Sequence, residues 1–385
     1  MSYKCNWAVD SRKGWRQIKT ILFLAALSMT GLFSCSQKFV RNVEAWEDEE
    51  EYKRAITGQQ KITQKIKVNT ETDPVVVTNV TDDSADDPAI WYNEQDPSKS
   101  VVYGSNKLRG IHSYNLKGKQ IQYVPCGKIN NIDVRKGISL GGKLVDILAG
   151  SNRTDNSIVF FIIGIDGSIA AEPNFSVALR DFSPYGFCLY KARDNQLYAF
   201  VNSKIGLVKQ FHIDLEKDGN LTVSIARKLQ LPTQIEGMVV DDLKHTLYVG
   251  EEQTGIHIFS ALADGSTEGV LLEGSTDKNP NIRYDVEGLA LLAPHYLVAS
   301  SQGNFSFAIF DLELQKYIGS FVLEEGAVDG VEETDGIEIL SMDLGDGFSE
   351  GIMIAQDGFN LDDEKKVAQN FKFVNLEQIL TLIRG

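Results

Sequence analysis

From about residue 75 onward, short apolar runs alternate with polar turns. The runs are rich in Val, Ile and Tyr and are bounded by Gly, Asp and Asn, the pattern of β-strands. No long helical periodicity appears in this region. One phrase recurs: a polar or acidic residue leads into an apolar strand, a second strand ends in a small-polar cluster, and a third strand follows. The lead residues are Asp87, Asp133, Tyr185, Glu236, Glu287 and Asp335, spaced by 46, 52, 51, 51 and 48 residues. The second strands end in step at Asn106-Lys107, Asn152-Arg153, Ser203-Lys204, Glu251-Glu252, Ser301-Gln302 and Gln356-Asp357. Six such units, each with room for four strands, predict an all-β fold, a six-bladed β-propeller over residues 73–385. The strand-like segment Val75–Val80 is expected to complete the last blade and close the ring, covering a sheet edge.

The front of the chain reads differently. A basic stretch (Lys4, Arg12, Lys13, Arg16, Lys19) precedes an apolar run from Ile21 to Phe33 that is short for a spanning helix. Leu32-Phe33-Ser34-Cys35 resembles a bacterial lipobox. Residues 1–35 are therefore expected to be a lipoprotein-type signal peptide, with Cys35 lipidated as the mature first residue. Residues 36–72 are polar and include the run Glu47-Asp48-Glu49-Glu50-Glu51, so they are expected to form a flexible, solvated tether. The expected location is outside the cytoplasm of a Gram-negative bacterium, as a periplasmic or outer-membrane-anchored lipoprotein. The chain would then touch the membrane only through its anchor, and a monomer is expected.

Composition narrows the function. Hydrophobic content of 43% with 24% charged residues suits a soluble protein with a sizeable core. A formal net charge of −15 argues against nucleic acid as a partner, because a phosphate backbone is bound by clustered Lys and Arg. Cys126 and Cys188 fit neither a zinc-ligand spacing nor a cysteine-phosphatase loop. The five histidines are scattered and read as strand and turn residues.

In a propeller the innermost strands line a central channel, so matching positions in successive units form rings. The second-strand ends give Lys107, Arg153, Lys204, Glu251, Gln302 and Asp357, and the lead positions add their carboxylates and Tyr185. Asp86 stands beside Asp87, and Asp285 is placed two residues before Glu287, on the same face of an extended strand. Carboxylates so crowded raise one another's pKa unless a counter-charge is present. Oxygen-only ligands suit Ca²⁺, and the lack of His or Cys at any ring position speaks against zinc. The Lys-Arg-Lys arc calls for an anionic partner, and metals beside such an arc point to phosphate chemistry.

These residues carry a resemblance. The phrases Asp86-Asp87-Pro88-Ala89-Ile90-Trp91, Asn130-Asn131-Ile132-Asp133-Val134-Arg135, Ser151-Asn152-Arg153, Ile235-Glu236-Gly237, Asp285-Val286-Glu287-Gly288-Leu289, Ser301-Gln302-Gly303 and Thr334-Asp335-Gly336 occur in this order and spacing. In these the chain resembles the β-propeller phytases, the alkaline calcium-dependent family. The resemblance implies calcium-dependent hydrolysis of myo-inositol hexakisphosphate (phytate, as its calcium complex) by water, without a phospho-enzyme. It implies that Lys107, Arg153, Tyr185 and Lys204 grip phosphate, with Asp86 and Glu236 at the catalytic centre. It implies active-site calcium on Asp86, Glu236, Glu251, Asp285, Glu287, Gln302 and Asp335, and structural calcium at Asp87, Asp329, Asp357 and Asn360. Two departures stand out: Ile205 follows Lys204 where the family carries an acid, and Phe359 replaces a Glu after Gly358. Weakened calcium-dependent stabilisation is expected from them. The alternatives are a non-catalytic inositol-phosphate-binding propeller and another calcium-dependent propeller hydrolase, since fold does not fix chemistry.

Overall fold

The computed structural model describes residues 49–384, apart from 141, 194, 216–220, 346, 363 and 364. Cys35, the expected signal peptide and the first part of the expected tether lie outside the described residues. Six sheets, one per sequence repeat and antiparallel within each repeat, form the blades of a six-bladed β-propeller. Their first strands are Ala85–Trp91, Ile129–Leu140, Phe187–Lys191, Ile235–Asp241, Val286–Leu292 and Ile337–Leu340. Blades pack face to face, so inner strands are covered on both sides; Val101–Asn106 and Ile352–Asp357 are buried at every position. Six apolar clusters fill the six blade interfaces, each drawing side chains from two neighbouring blades. A C-terminal helix, Leu376–Arg384, packs Leu376, Ile379 and Leu380 onto the cluster between blades 5 and 6.

The N-terminal segment corrects two expectations. Residues 49–72 do not belong to a tether: Glu49–Gln59 form a helix (α1), Gln64–Val68 a strand (β1) and Thr70–Glu71 a short strand (β2). β1 joins blade 5 as a fifth strand, parallel to Lys316–Glu325, with Ile66 and Val68 buried. β2 pairs with Asn370–Asn375 and supplies the fourth strand of blade 6. The ring is thus closed by Thr70–Glu71 and not by Val75–Val80. Pro74 lacks the amide that would continue the ladder, and the chain there crosses to blade 1, where the Asn106 side chain donates to the Val76 carbonyl at 2.8 Å.

Candidate active site

A β-bulge in the first strand of four blades re-aims the residue that matters. Register shifts fall between Ala85 and Pro88, Ile129 and Ile132, Ile235 and Met238, and Val286 and Leu289. A bulge breaks the alternation of side chains and turns one residue toward a site. The residues two before the resumed register are Asp86, Asn130, Glu236 and Glu287, and Tyr185 and Asp335 hold the same place relative to their strands. The next residue is glycine in blades 3 to 6 because neighbouring blades meet there. A Cβ at Gly186 would come 2.1 Å from the Glu236 carbonyl oxygen, and one at Gly237 would come 2.1 Å from that of Glu287. Each glycine therefore lets one site residue sit close to the next.

The structure brings most of the expected residues together and exchanges a few. Glu236, Glu252 and Glu287 each offer a carboxylate oxygen, and the three lie within 4.8 Å of one another. Glu252 faces this cluster in place of Glu251, whose carboxylate accepts from the Thr233 amide at 2.8 Å and hydroxyl at 2.7 Å and contacts His257 Nε2 at 2.8 Å. Asp86 is 1% exposed, and neither of its carboxylate oxygens has a hydrogen-bond partner among the described residues; one oxygen each of Glu252 and Glu287 is in the same state. At the rim, Gln302 Nε2 donates to Asp335 Oδ1 at 2.7 Å, and the Gln302 amide donates to the Asp285 carbonyl at 2.9 Å.

The cations lie beside these acids. Lys107 Nζ bridges Asp335 Oδ2 at 2.7 Å and Asp83 Oδ1 at 2.8 Å. Arg153 donates to Asn130 Oδ1 at 2.7 Å, and Asn130 in turn donates to Glu236 Oε1 at 2.6 Å. Lys204 Nζ sits 4.3 Å from the centroid of the Tyr185 ring, and the Arg153 guanidinium 5.8 Å from it, both in cation–π range. Burial and the carboxylates of Glu236 and Glu287 push the Tyr185 phenol far up, so it stays a protonated donor. Asn130, Asp83 and Glu252 are the participants that the sequence reading left without a role. Asn130 lies within Asn130-Asn131-Ile132-Asp133, and Glu252 directly follows Glu251.

Asp87 and Asp133 fall outside this cluster. With Arg135, Asp242 and Glu338 they line a cavity of about 320 Å³ bounded by first strands of the blades, the central channel. Asp133 is tied to Arg135 at 2.7 Å and to the Leu189 amide at 2.8 Å; Asp87 accepts from the Ile132 amide at 3.0 Å. The expected structural calcium site at Asp329, Asp357 and Asn360 is also assembled, but a protein cation stands in its middle. Lys372, 0% exposed, bonds Asp329, Glu71 and, at 2.9 Å, Asn360 Oδ1, with Asp357 Oδ2 at 3.4 Å. Phe359 is buried against Tyr52 and Phe305, so it anchors α1 where a carboxylate was expected. Ile205 is 73% exposed on the turn after Lys204.

The charge at the cluster has a measurable consequence. Burial, then the charge of Asp335, push Glu236 up to about 8; burial pushes Glu252 up to about 7. Asp86 and Glu287 rise for the same reasons, burial first and Glu236 second. The folded, metal-free chain therefore holds protons that the unfolded chain releases near the ordinary glutamate value of 4.5. Stability present at low pH is lost as pH rises from there through 7 to 8. The melting temperature without divalent cations is expected to fall between pH 5 and 8. Added calcium should flatten that fall, because a cation replaces the protons. A flat metal-free profile would contradict the assignment of a proton-bearing cluster.

A phytase family model matches residues 50–384. The chain belongs to the phytase family. Its similarity to the 3-phytase of Bacillus subtilis strain 168 is 38% identity over 327 residues, covering 82% of this chain and 84% of that one. Among solved structures, a luciferin-regenerating enzyme aligns with a TM-score of 0.51 at 11% identity, over 76% of this chain and 91% of that one. The calcium-binding protein regucalcin from Agrobacterium tumefaciens aligns with a TM-score of 0.51 at 12% identity, over 82% and 97%. At such identities these two share the propeller fold alone, whereas the family match spans every residue of the carboxylate and cation rings.

Proposed function

We propose that the protein hydrolyses phosphate monoesters of phytate, with calcium held by the carboxylate cluster. The observation that carries this reading is the three-carboxylate cluster of Glu236, Glu252 and Glu287, set beside the cations Lys107, Arg153 and Lys204. The donor set fits a hard cation: Asp86, Glu236, Glu252 and Glu287, with Asp285, Gln302 and Asp335 at the rim, offer oxygens only. Several of those oxygens are buried without partners, a costly state unless something charged and positive meets them. When bound, calcium supplies polarisation of a phosphoryl oxygen and eases deprotonation of water.

The protein's own groups do the rest. Arg153 and Lys204, steadied by Asn130 and the Tyr185 ring, present N–H donors to phosphoryl oxygens. Lys107 adds a third positive charge between Asp335 and Asp83. Glu236, with one oxygen held by Asn130, is placed to take a proton from the attacking water. Nearby serine hydroxyls are committed to backbone: Ser151 donates to the Tyr185 carbonyl at 2.6 Å and Ser300 to that of Thr334 at 2.8 Å. Water is taken as the attacking nucleophile, as the family resemblance implies, so that no phospho-enzyme forms. On the reading of residues 1–35 given above, the reaction takes place outside the cytoplasm, on a monomer tethered through Cys35.

Substituting Glu236→Gln keeps the shape of the side chain and removes its proton-accepting charge. Phosphate release from calcium phytate is expected to fall by about a hundredfold or more, and EDTA should abolish release by the unaltered chain. Release undiminished in the variant would overturn the role of Glu236. A folded chain that binds calcium but releases no phosphate at all would overturn the proposed activity.

A further inference from the structure

The helix α1 is a wall of a second cavity beside the carboxylate cluster. Tyr52, Ala55 and Ile56 hold the helix to the propeller by packing on Phe305 and Phe359. Between α1 and the segment 283–284 lies a cavity of about 620 Å³. Its charged lining consists of Lys53, Arg54, Lys61 and Arg283 against Glu50 and Glu51. Four cations against two carboxylates is an unusual balance on a chain of net charge −15. Lys53 pairs with Glu50 at 3.3 Å, whereas Arg54, Lys61 and Arg283 form no ion pair among the described residues. Arg283 is steadied by donation to the Ile282 carbonyl at 2.7 Å, and the Tyr284 ring by donation of its hydroxyl to the Thr254 carbonyl at 3.1 Å.

This cavity adjoins the proposed active site through the chain itself. Tyr284 and Gly303 line it, and their neighbours Asp285 and Gln302 stand at the rim of the carboxylate cluster, joined by a 2.9 Å hydrogen bond. We infer that the cavity is an accessory anion subsite, which takes a remote phosphate of a polyphosphorylated substrate while another phosphate lies at the carboxylate cluster. The inference rests on the proposed function and extends it to substrate selection. Arg54 and Arg283 present planar forks that suit phosphate oxygens, and Lys61 adds a point charge. A group bound so far from the bond that breaks contributes equally before and during reaction. Its loss therefore appears in KM and not in kcat. A small monoester with a single phosphate has nothing to place there.

The test uses the full chain with Arg54→Glu and Lys61→Glu together, and separately Arg283→Gln, each verified to be folded by its melting curve. The ratio of kcat/KM for phytate to kcat/KM for p-nitrophenyl phosphate is expected to drop about tenfold in the double variant, through a raised phytate KM. The dissociation constant of myo-inositol hexakissulfate, which presents the same array of anions, should weaken by a similar factor. A ratio equal to that of the unaltered chain, or an equal loss with both substrates, would overturn the subsite. If the unaltered chain hydrolyses neither substrate, the proposed function fails, and hexakissulfate binding alone still decides the subsite: weakened in the double variant it stands, unmoved it is overturned.

Discussion

Replacing Lys372 by Met should lower stability by roughly 3–5 kcal/mol, the usual result of removing one partner from a buried charge group. For a folded unit of this size that is a drop in melting temperature of about 4–7 °C. The methionine keeps most of the stem volume, so the loss isolates the ammonium. Without it, Asp329, Asp357 and Glu71 face one another with Asn360, and Asp357, already pushed up to about 7 by burial, loses the charge that restrains it. These are the oxygens that a divalent cation would use. Millimolar calcium is therefore expected to restore much of the lost stability in Lys372→Met while changing the unaltered chain far less through this site. A variant that melts within a degree or two of the unaltered chain, or that ignores calcium, would show that Lys372 is not the internal counter-ion of this cluster.

The second large effect concerns where the folded unit begins. A chain starting at residue 73 lacks β1, β2 and α1, and with them the buried side chains of Ile62, Ile66 and Val68. Each fully buried aliphatic side chain stabilises by roughly 1.5–3 kcal/mol, against a total of about 5–15 kcal/mol for a typical domain. The truncation also exposes the strand Lys316–Glu325 as an edge and removes Glu71 from Lys372. Such a chain is expected to lose its cooperative melting transition and to aggregate, while one starting at residue 48 keeps both transition and solubility. Circular dichroism melting and gel filtration of the two chains decide the matter. Equal behaviour would mean that the N-terminal segment is an ornament on a self-sufficient ring.

The blade count was legible because each blade is one sequence repeat, and the interval between lead residues carried through to the sheets. What the repeat did not expose was the bulge. Strict alternation makes Asp87 and Asp133 the channel-lining leads, but the extra residue in the strand turns Asp86 and Asn130 into the site instead. The same limit applies to Glu251 and Glu252, adjacent acids that only the strand end can tell apart. Lys372 sits between Phe371 and Phe373, an ordinary alternation on paper, and only the packing of four distant polar groups around it shows its role. Gln64-Lys65-Ile66-Lys67-Val68 did carry a strand pattern, which the acidic run preceding it masked.

The pairing of β1 with residues 316–325 and of β2 with residues 370–375 also sets an order of events. The first propeller strands to leave the ribosome are among the last to find their partners. At about 5–20 residues per second, the roughly 250 residues between β1 and its partner strand mean a wait of about 13–50 s. Throughout that interval β1 is an unpaired strand with a ready ladder of donors and acceptors, the kind of edge that invites pairing with the wrong chain. Its two lysines, Lys65 and Lys67, are exposed in the finished propeller and contribute nothing to the core. Their charges alternate with Ile66 and Val68 along the waiting strand, where they act as a guard against premature association.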